Sequence, residues 1–204
     1  MSATEEPPRR RGRPPSGGRE AILDAALAVL REQGIANLTS REVAARAGVS
    51  DASVYYHFRD RAGLLQAVFE HGMKPLKFMA GIEPGLLDPP TMIRQAFAAL
   101  EQFFDDVLPV LHAAQADPEL RAALAEFIEE KDIGPHKGVG LLGGYLRAEQ
   151  EAGRVSADAD PDAIALMVID EAFGFVARRQ MHLHKADLLP PSEALLQQIS
   201  RLLM

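Results

Sequence analysis

The sequence predicts an all-α fold, with an N-terminal three-helix helix-turn-helix unit followed by a larger helical body. Three observations lead there. Apolar residues recur at helical spacing along most of the chain. The stretches between these runs are short and carry the punctuation that ends or starts helices, namely Pro75, "EPGLLDPP", "DIGP", Gly153 and "LPPS". No segment alternates apolar and polar residues convincingly enough to compete as a strand.

The elements follow in order. Ile22, Ala26, Val29, Leu30 and Gln33 fall on one face of a first helix, and Gly34 supplies the left-handed residue that commonly ends one. In "LTSREVAARAGVSDASVYYHF", Thr39 and Glu42 have capping-box spacing, so a second, short helix runs from there to about Ala47. Gly48 permits a tight turn, Ser50 is a good N-cap, and Asp51 suits the positive end of a helix dipole, which predicts a third helix over 51–58. Further helices are expected over 61–74, 91–108, 109–116, 118–131, 136–152, 161–181 and 192–203. Asp117-Pro118 and Asp160-Pro161 each set a capping acid before a proline at the first helical position. No internal repeat is visible. The expected organisation is a basic arm over 1–17, a helix-turn-helix unit over 18–64 and a helical body over 65–204.

Composition narrows the classes. The 204 residues are 47% hydrophobic and 25% charged, enough apolar material for a substantial core. Without cysteine there is no disulfide, thiolate metal site or cysteine nucleophile, which suits a reducing cytoplasm. The basic start lacks the apolar stretch of a secretory signal. The longest wholly apolar run, Ala163 to Ile169, is far too short to span a bilayer, so a soluble cytoplasmic protein without a membrane partner is expected. Charge is unevenly spread: residues 1–62 hold ten Arg against eight acids, net +2, within a chain of net charge -7, leaving -9 for the rest. Only the first part suits a polyanionic partner. Its arginines cluster in "RRRGRPPSGGRE" at Arg9, Arg10, Arg11 and Arg13.

Two short helices joined by a glycine-containing turn form a helix-turn-helix, a unit that places its second helix in a DNA major groove. Val54 and Phe58, an i, i+4 pair, should face the core and leave Ser53, Tyr55, Tyr56 and His57 outside. Either tyrosine alone could be a core residue with a satisfied hydroxyl. The cluster favours DNA, since these hydroxyls and the imidazole donate to phosphates, and Arg61 just beyond suits a backbone phosphate. From Gly34 to Phe69, "GIANLTSREVAARAGVSDASVYYHFRDRAGLLQAVF" resembles the DNA-binding region of TetR-family transcriptional regulators, a likeness covering about residues 18–70.

That resemblance implies an all-helical homodimer whose C-terminal domain binds a small effector and dimerises. By position, Ser40 and Arg41 would approach the DNA backbone and a base edge. Asp51, Ala52 and Ser53 would enter the groove, and Tyr55, Tyr56, His57 and Arg61 would contact mostly phosphates. There are departures from the family pattern. Arg61 stands where the family usually has Lys, which keeps the charge and adds a planar fork. Ala62 and Gly63 replace a commonly acidic pair, which predicts a looser start to the fourth helix. Asp51 could accept from a cytosine N4, but stabilisation of the helix N-terminus is the favoured role. "RGRP", Arg11 to Pro14, resembles an AT-hook core that lies in a narrow A·T minor groove; a generic basic arm on phosphates is the alternative.

Other constellations carry less. "GVGLLG" at 138–143 fits G-x-G-x-x-G but follows no strand, so Gly140 and Gly144 are read as small residues at a subunit interface. "HLH" at 182–184 with Asp187 lacks a third metal ligand fixed by spacing and reads as helix-end histidines. Asp170 shares a strongly apolar face with Met167, Phe173 and Ala177, which would bury it and require an effector contact or an interface hydrogen bond. No G-x-S-x-G, H-E-x-x-H or P-loop is present, and no enzyme activity, cofactor or metal is expected. A pocket for a lipophilic effector is expected among helices 91–181, with Phe97, Phe103, Phe104, Phe127, Tyr145, Asp170 and Phe173 as lining candidates; core packing is the competing role for each aromatic.

The expected function is sequence-specific regulation of transcription, as a repressor released from a double-stranded palindromic operator by a small molecule. An effector-independent architectural DNA binder, or an effector-binding enzyme with a vestigial DNA domain, are the alternatives.

Overall fold

The computed structural model describes residues 18–182 and 188–204. Regular structure among them is entirely helical: α1 Gly18–Gln33, α2 Ser40–Ala47, α3 Asp51–His57, α4 Arg61–Gly72, α5 Pro89–Gln115, α6 Pro118–Glu130, α7 Pro135–Glu151, α8 Pro161–Gln180 and α9 Ser192–Leu202, with 3-10 segments at Ile35–Asn37 and Lys74–Gly81. The Asp-Pro starts behave as expected. Asp117 accepts from the backbone N–H groups of Glu119 and Leu120, and Asp160 from those of Asp162 and Ala163, each just before a proline that has no N–H to satisfy.

Two apolar clusters hold the chain together. The first joins α1 to α4 with the C-terminal half of α5 and with α6, around Ile22, Val43, Val54, Leu65, Val110 and Leu120. The second joins the N-terminal half of α5 with α7, α8 and α9, around Ile93, Leu142, Leu146, Val168 and Leu203. Each such buried side chain contributes about 1.5–3 kcal/mol, and α5 belongs to both clusters. Gly72 lets α4 press on α5, since a Cβ there would lie 3.0 Å from Val107 and 3.1 Å from Asp106.

Several expectations change. Helix α5 is continuous where a break was expected between 108 and 109, with Pro109 inside it. The proline removes the N–H that would have reached the Asp105 carbonyl; Gln180 of α8 donates to that oxygen instead, at 3.2 Å. Gln33 is exposed rather than part of the buried face of α1, because the helix ends there at Gly34, whose φ is 75°. Phe58 is the C-cap of α3 and not its last helical residue, yet it is buried as expected. Pro75 is the second residue of a 3-10 segment instead of a plain break. The start of α4 is firm, for Asp60 caps it by accepting from the Gly63 N–H at 2.7 Å.

Glu149 of α7 is the one fully buried acid among the described residues. It accepts from the Gly85 N–H at 2.6 Å and from Arg154, tying α7 to the loop before α5. Burial opposes its ionised form, but Arg154 and the Gly85 amide outweigh that and hold the carboxyl below the usual range. Beside it Tyr145 donates to the Leu87 carbonyl at 3.2 Å, and burial, with the neighbouring Glu149 charge, pushes its pKa up to about 12.

Candidate nucleic-acid interface and effector cavity

Local chemistry fixes the α2–turn–α3 unit. Thr39 caps α2 by accepting from the Glu42 N–H at 3.2 Å. Gly48 takes the left-handed conformation (φ 66°, ψ 31°), and the Val49 N–H returns to the Ala44 carbonyl at 3.0 Å, which closes α2 as glycine caps do. Ser50 then caps α3 by accepting from the Ser53 N–H at 3.2 Å. Val54 and Phe58 anchor α3 in the core next to Leu38, Val43 and Ala44.

That anchoring turns the opposite face outward. Tyr55 is 59% exposed and Tyr56 85%, while Asp51, Ala52 and His57 are exposed and Ser53 is half-buried. Ser40 donates to the Tyr55 hydroxyl at 3.1 Å, which joins the start of α2 to α3. The Tyr56 and His57 rings meet edge-on with centroids 5.2 Å apart. Arg41 is exposed on the same unit. The start of α1 belongs to this edge as well. A Cβ on Gly18 would lie 3.9 Å from His57 Nε2, and the Arg19 guanidinium sits 5.5 Å from the Phe58 ring centroid. Arg9, Arg10, Arg11 and Arg13 lie outside the described residues.

Arg61 has partners that its sequence position does not suggest. Its guanidinium donates to the Ile35 carbonyl and faces Asp117 at 3.6 Å. Asp117 is the cap of α6, and Gln66 of α4 donates to the Ala123 carbonyl of α6 at 2.9 Å. Two polar links therefore bind α4 to α6.

The far end of α6 borders an apolar cavity of about 570 Å³, enclosed by α4, the 74–81 segment, α5, α7 and α8. Of the aromatic candidates, Phe103, Phe104 and Phe173 line it. Phe97 and Tyr145 do not, being buried in the second cluster, and Phe127 packs instead against Phe69 with ring centroids 6.3 Å apart. Asp170 lines the cavity but is exposed, contrary to the expected burial, because the apolar face it shares is itself open. Phe69, Met73, Leu76 and Ile128 also line it. Sequence reasoning missed these four, since a cavity wall and a core share one helical spacing.

On the α7–α8 pair, Leu141, Leu166, Met167 and Phe173 are exposed, Leu141 and Phe173 where they border the cavity. A Cβ on Gly140 or Gly144 would meet nothing, whereas one on Gly143 would strike Asp162 of α8 at 2.2 Å. Gly143 thus serves contact within the chain, and the other two face open space. "GVGLLG" lies inside α7, so no glycine-rich loop exists there. His182 lies two residues past the end of α8, and His184 and Asp187 lie outside the described residues. No helix among the described residues is long and apolar enough to cross a membrane.

The helix-turn-helix region matches the family described as bacterial regulatory proteins, tetR family, over residues 22–68. Residues 22–68 therefore carry a TetR-family DNA-binding region. Over 59 residues it is 41% identical to the HTH-type transcriptional regulator SrpR of Pseudomonas putida, a match covering 29% of this chain and 28% of that one. A longer match, to the HTH-type transcriptional repressor BepR of Brucella suis, is 25% identical over 164 residues and covers 78% of each chain. In structure the chain is similar to Salmonella enterica GusR, with a TM-score of 0.63 at 18% identity, covering 94% of this chain and 97% of that one. The TetR-family region is thus specific in sequence, whereas the helical body resembles solved structures in fold alone. The named sequence relatives are transcriptional regulators and not enzymes.

Proposed function

We propose that this protein is a cytoplasmic TetR-family transcriptional repressor that binds a palindromic operator as a homodimer and leaves it when a small molecule occupies the cavity. The observation that carries this reading is the outward Tyr55–Tyr56–His57 surface on a helix whose other face is locked into the core. A rigid helix presenting donors and apolar ring faces suits a major groove. Residues 18–64 act as the DNA-binding domain and 65–204 as the effector and dimerisation domain. Ser40 and Tyr55 hold phosphates together, Arg41 reads a base edge, Asp51, Ala52 and Ser53 enter the groove, and Tyr56, His57 and Arg61 meet the backbone. Arg13 is five residues before Gly18 in the sequence, a spacing that lets the arginine arm act on the same duplex.

Release is a coupling of two equilibria. A ligand that fills the cavity displaces the end of α6 at Ile128, and the Asp117–Arg61 and Ala123–Gln66 links carry the shift to α4. A ligand favouring that shifted state must, by linkage, bind the DNA-bound dimer less well.

The test is the salt dependence of binding to a labelled duplex, for the full chain and for one lacking residues 1–15. The full chain should bind with a steep slope of log affinity against log salt. Loss of four arginines should lower that slope by up to about 3–4 per subunit, at about 0.9 counterion each. A full chain with no affinity for duplex at low salt overturns the reading; an unchanged slope removes the arm from the interface.

A further inference from the structure

The charges lining the cavity point to the class of molecule it takes. Lys137 pairs with Asp132, which also holds His136 at 3.1 Å, and Lys131 faces Glu130 at 3.5 Å. Of the four charged residues lining the cavity, Lys131, Asp132 and Lys137 each have an ion-pair partner and Asp170 has none among the described residues. It stands one helical turn before Phe173, whose ring meets that of Phe104 edge-on at 5.4 Å, and Phe103 lies 4.9 Å from Phe104. Beyond these rings the wall is Leu100, Met73, Met79 and Ile169, with no further charge.

We propose that the cavity takes an amphipathic organic cation, with its head group between the Asp170 carboxylate and the Phe104 and Phe173 rings and its apolar body among Phe103, Leu100 and Met73. The proposal rests on the reading of the cavity as the effector site and names its ligand class. An anionic head is repelled by Asp170. A neutral head offers this carboxylate at most a hydrogen bond, whereas a cation neutralises its charge and is attracted to the negative ring faces. The thioethers of Met73 and Met79 adapt to the shape of the tail.

Three ligands with one tail isolate the head group: decyltrimethylammonium, decanol and decanoate, each titrated calorimetrically into the full-length protein below its aggregation concentration. The ammonium should bind about tenfold more tightly than decanol, as one partly exposed ion pair with aromatic neighbours provides, and decanoate should bind most weakly. Asp170→Asn should bring the ammonium to within about threefold of decanol while leaving decanol affinity and sedimentation unchanged. Phe104→Ala should weaken all three. Equal affinity for ammonium and decanol overturns the proposal, as does a preference that survives in the Asn variant. An Asn variant that loses its dimer assigns Asp170 to the interface instead. If all three bind alike the cavity is still a ligand site of another class; if none binds, the effector reading fails together with the proposal.

Discussion

At the scale of single residues, exposure separates those that can leave without harm from those that cannot. Tyr56 is 85% exposed and meets the His57 ring edge-on, so Tyr56→Ala should shift stability by less than about 0.5 kcal/mol while weakening duplex binding; thermal melting and anisotropy titration check the two halves. Arg41→Ala should instead lower discrimination between an operator and a base-substituted operator by about 1–3 kcal/mol, and an equal loss on both duplexes would move Arg41 to the phosphate contacts. Glu149 is the opposite case. Its folded carboxyl titrates below the ordinary 4.5, so the stability it contributes is present above that value and is lost as pH falls through the lower, folded one. Glu149→Gln should therefore cost about 1–3 kcal/mol at neutral pH and flatten the loss of stability below about pH 4.5, as read by denaturant melts across that range. Arg61 shows a limit of residue-level reading: a phosphate-facing position is suggested by the motif, but its partners Ile35 and Asp117 stand 26 residues before it and more than fifty after it.

At the scale of elements, what was legible in the sequence is what short-range chemistry decides. Thr39, Gly48 and Ser50 act within a few residues of themselves, and the α2–turn–α3 unit follows from them directly. Pro109 falls where the expected helices 91–108 and 109–116 meet, and a proline inside a helix leaves a carbonyl without its donor. The donor that replaces it, Gln180, stands 75 residues away and no local rule finds it. The cavity was partly legible for a related reason. Phe103, Phe104, Phe173 and Asp170 were placed there, but Phe97, Phe127 and Tyr145 belong to packed interiors, and only the three-dimensional arrangement separates a wall from a core. The Pro109–Gln180 account is testable by a double-mutant cycle in chemical denaturation. Gln180→Ala should cost about 1–2 kcal/mol in the native chain and clearly less in Pro109→Ala, where the restored N–H reaches Asp105 itself. Equal costs in both backgrounds would dissociate the two residues.

At the scale of the whole molecule, the proposed homodimer rests on the open face of α7 and α8. Leu141, Leu166, Met167 and Phe173 are exposed beside Gly140 and Gly144, so a second copy has apolar surface to bury and room for close helix contact. Because Gly144 borders open space in the single chain, Gly144→Glu should leave the fold intact and yield monomers in sedimentation; a variant that remains dimeric would place the interface elsewhere. Two recognition helices related by a two-fold axis must read two inverted half-sites. The most direct test of the account is selection of bound duplexes from a random DNA pool by the full-length protein. The account predicts an enriched inverted repeat whose half-site centres lie about 34–36 Å apart, or a multiple of that, and whose base preference weakens in Arg41→Ala. Enrichment of a single unrepeated site, or of no sequence at all, would contradict it.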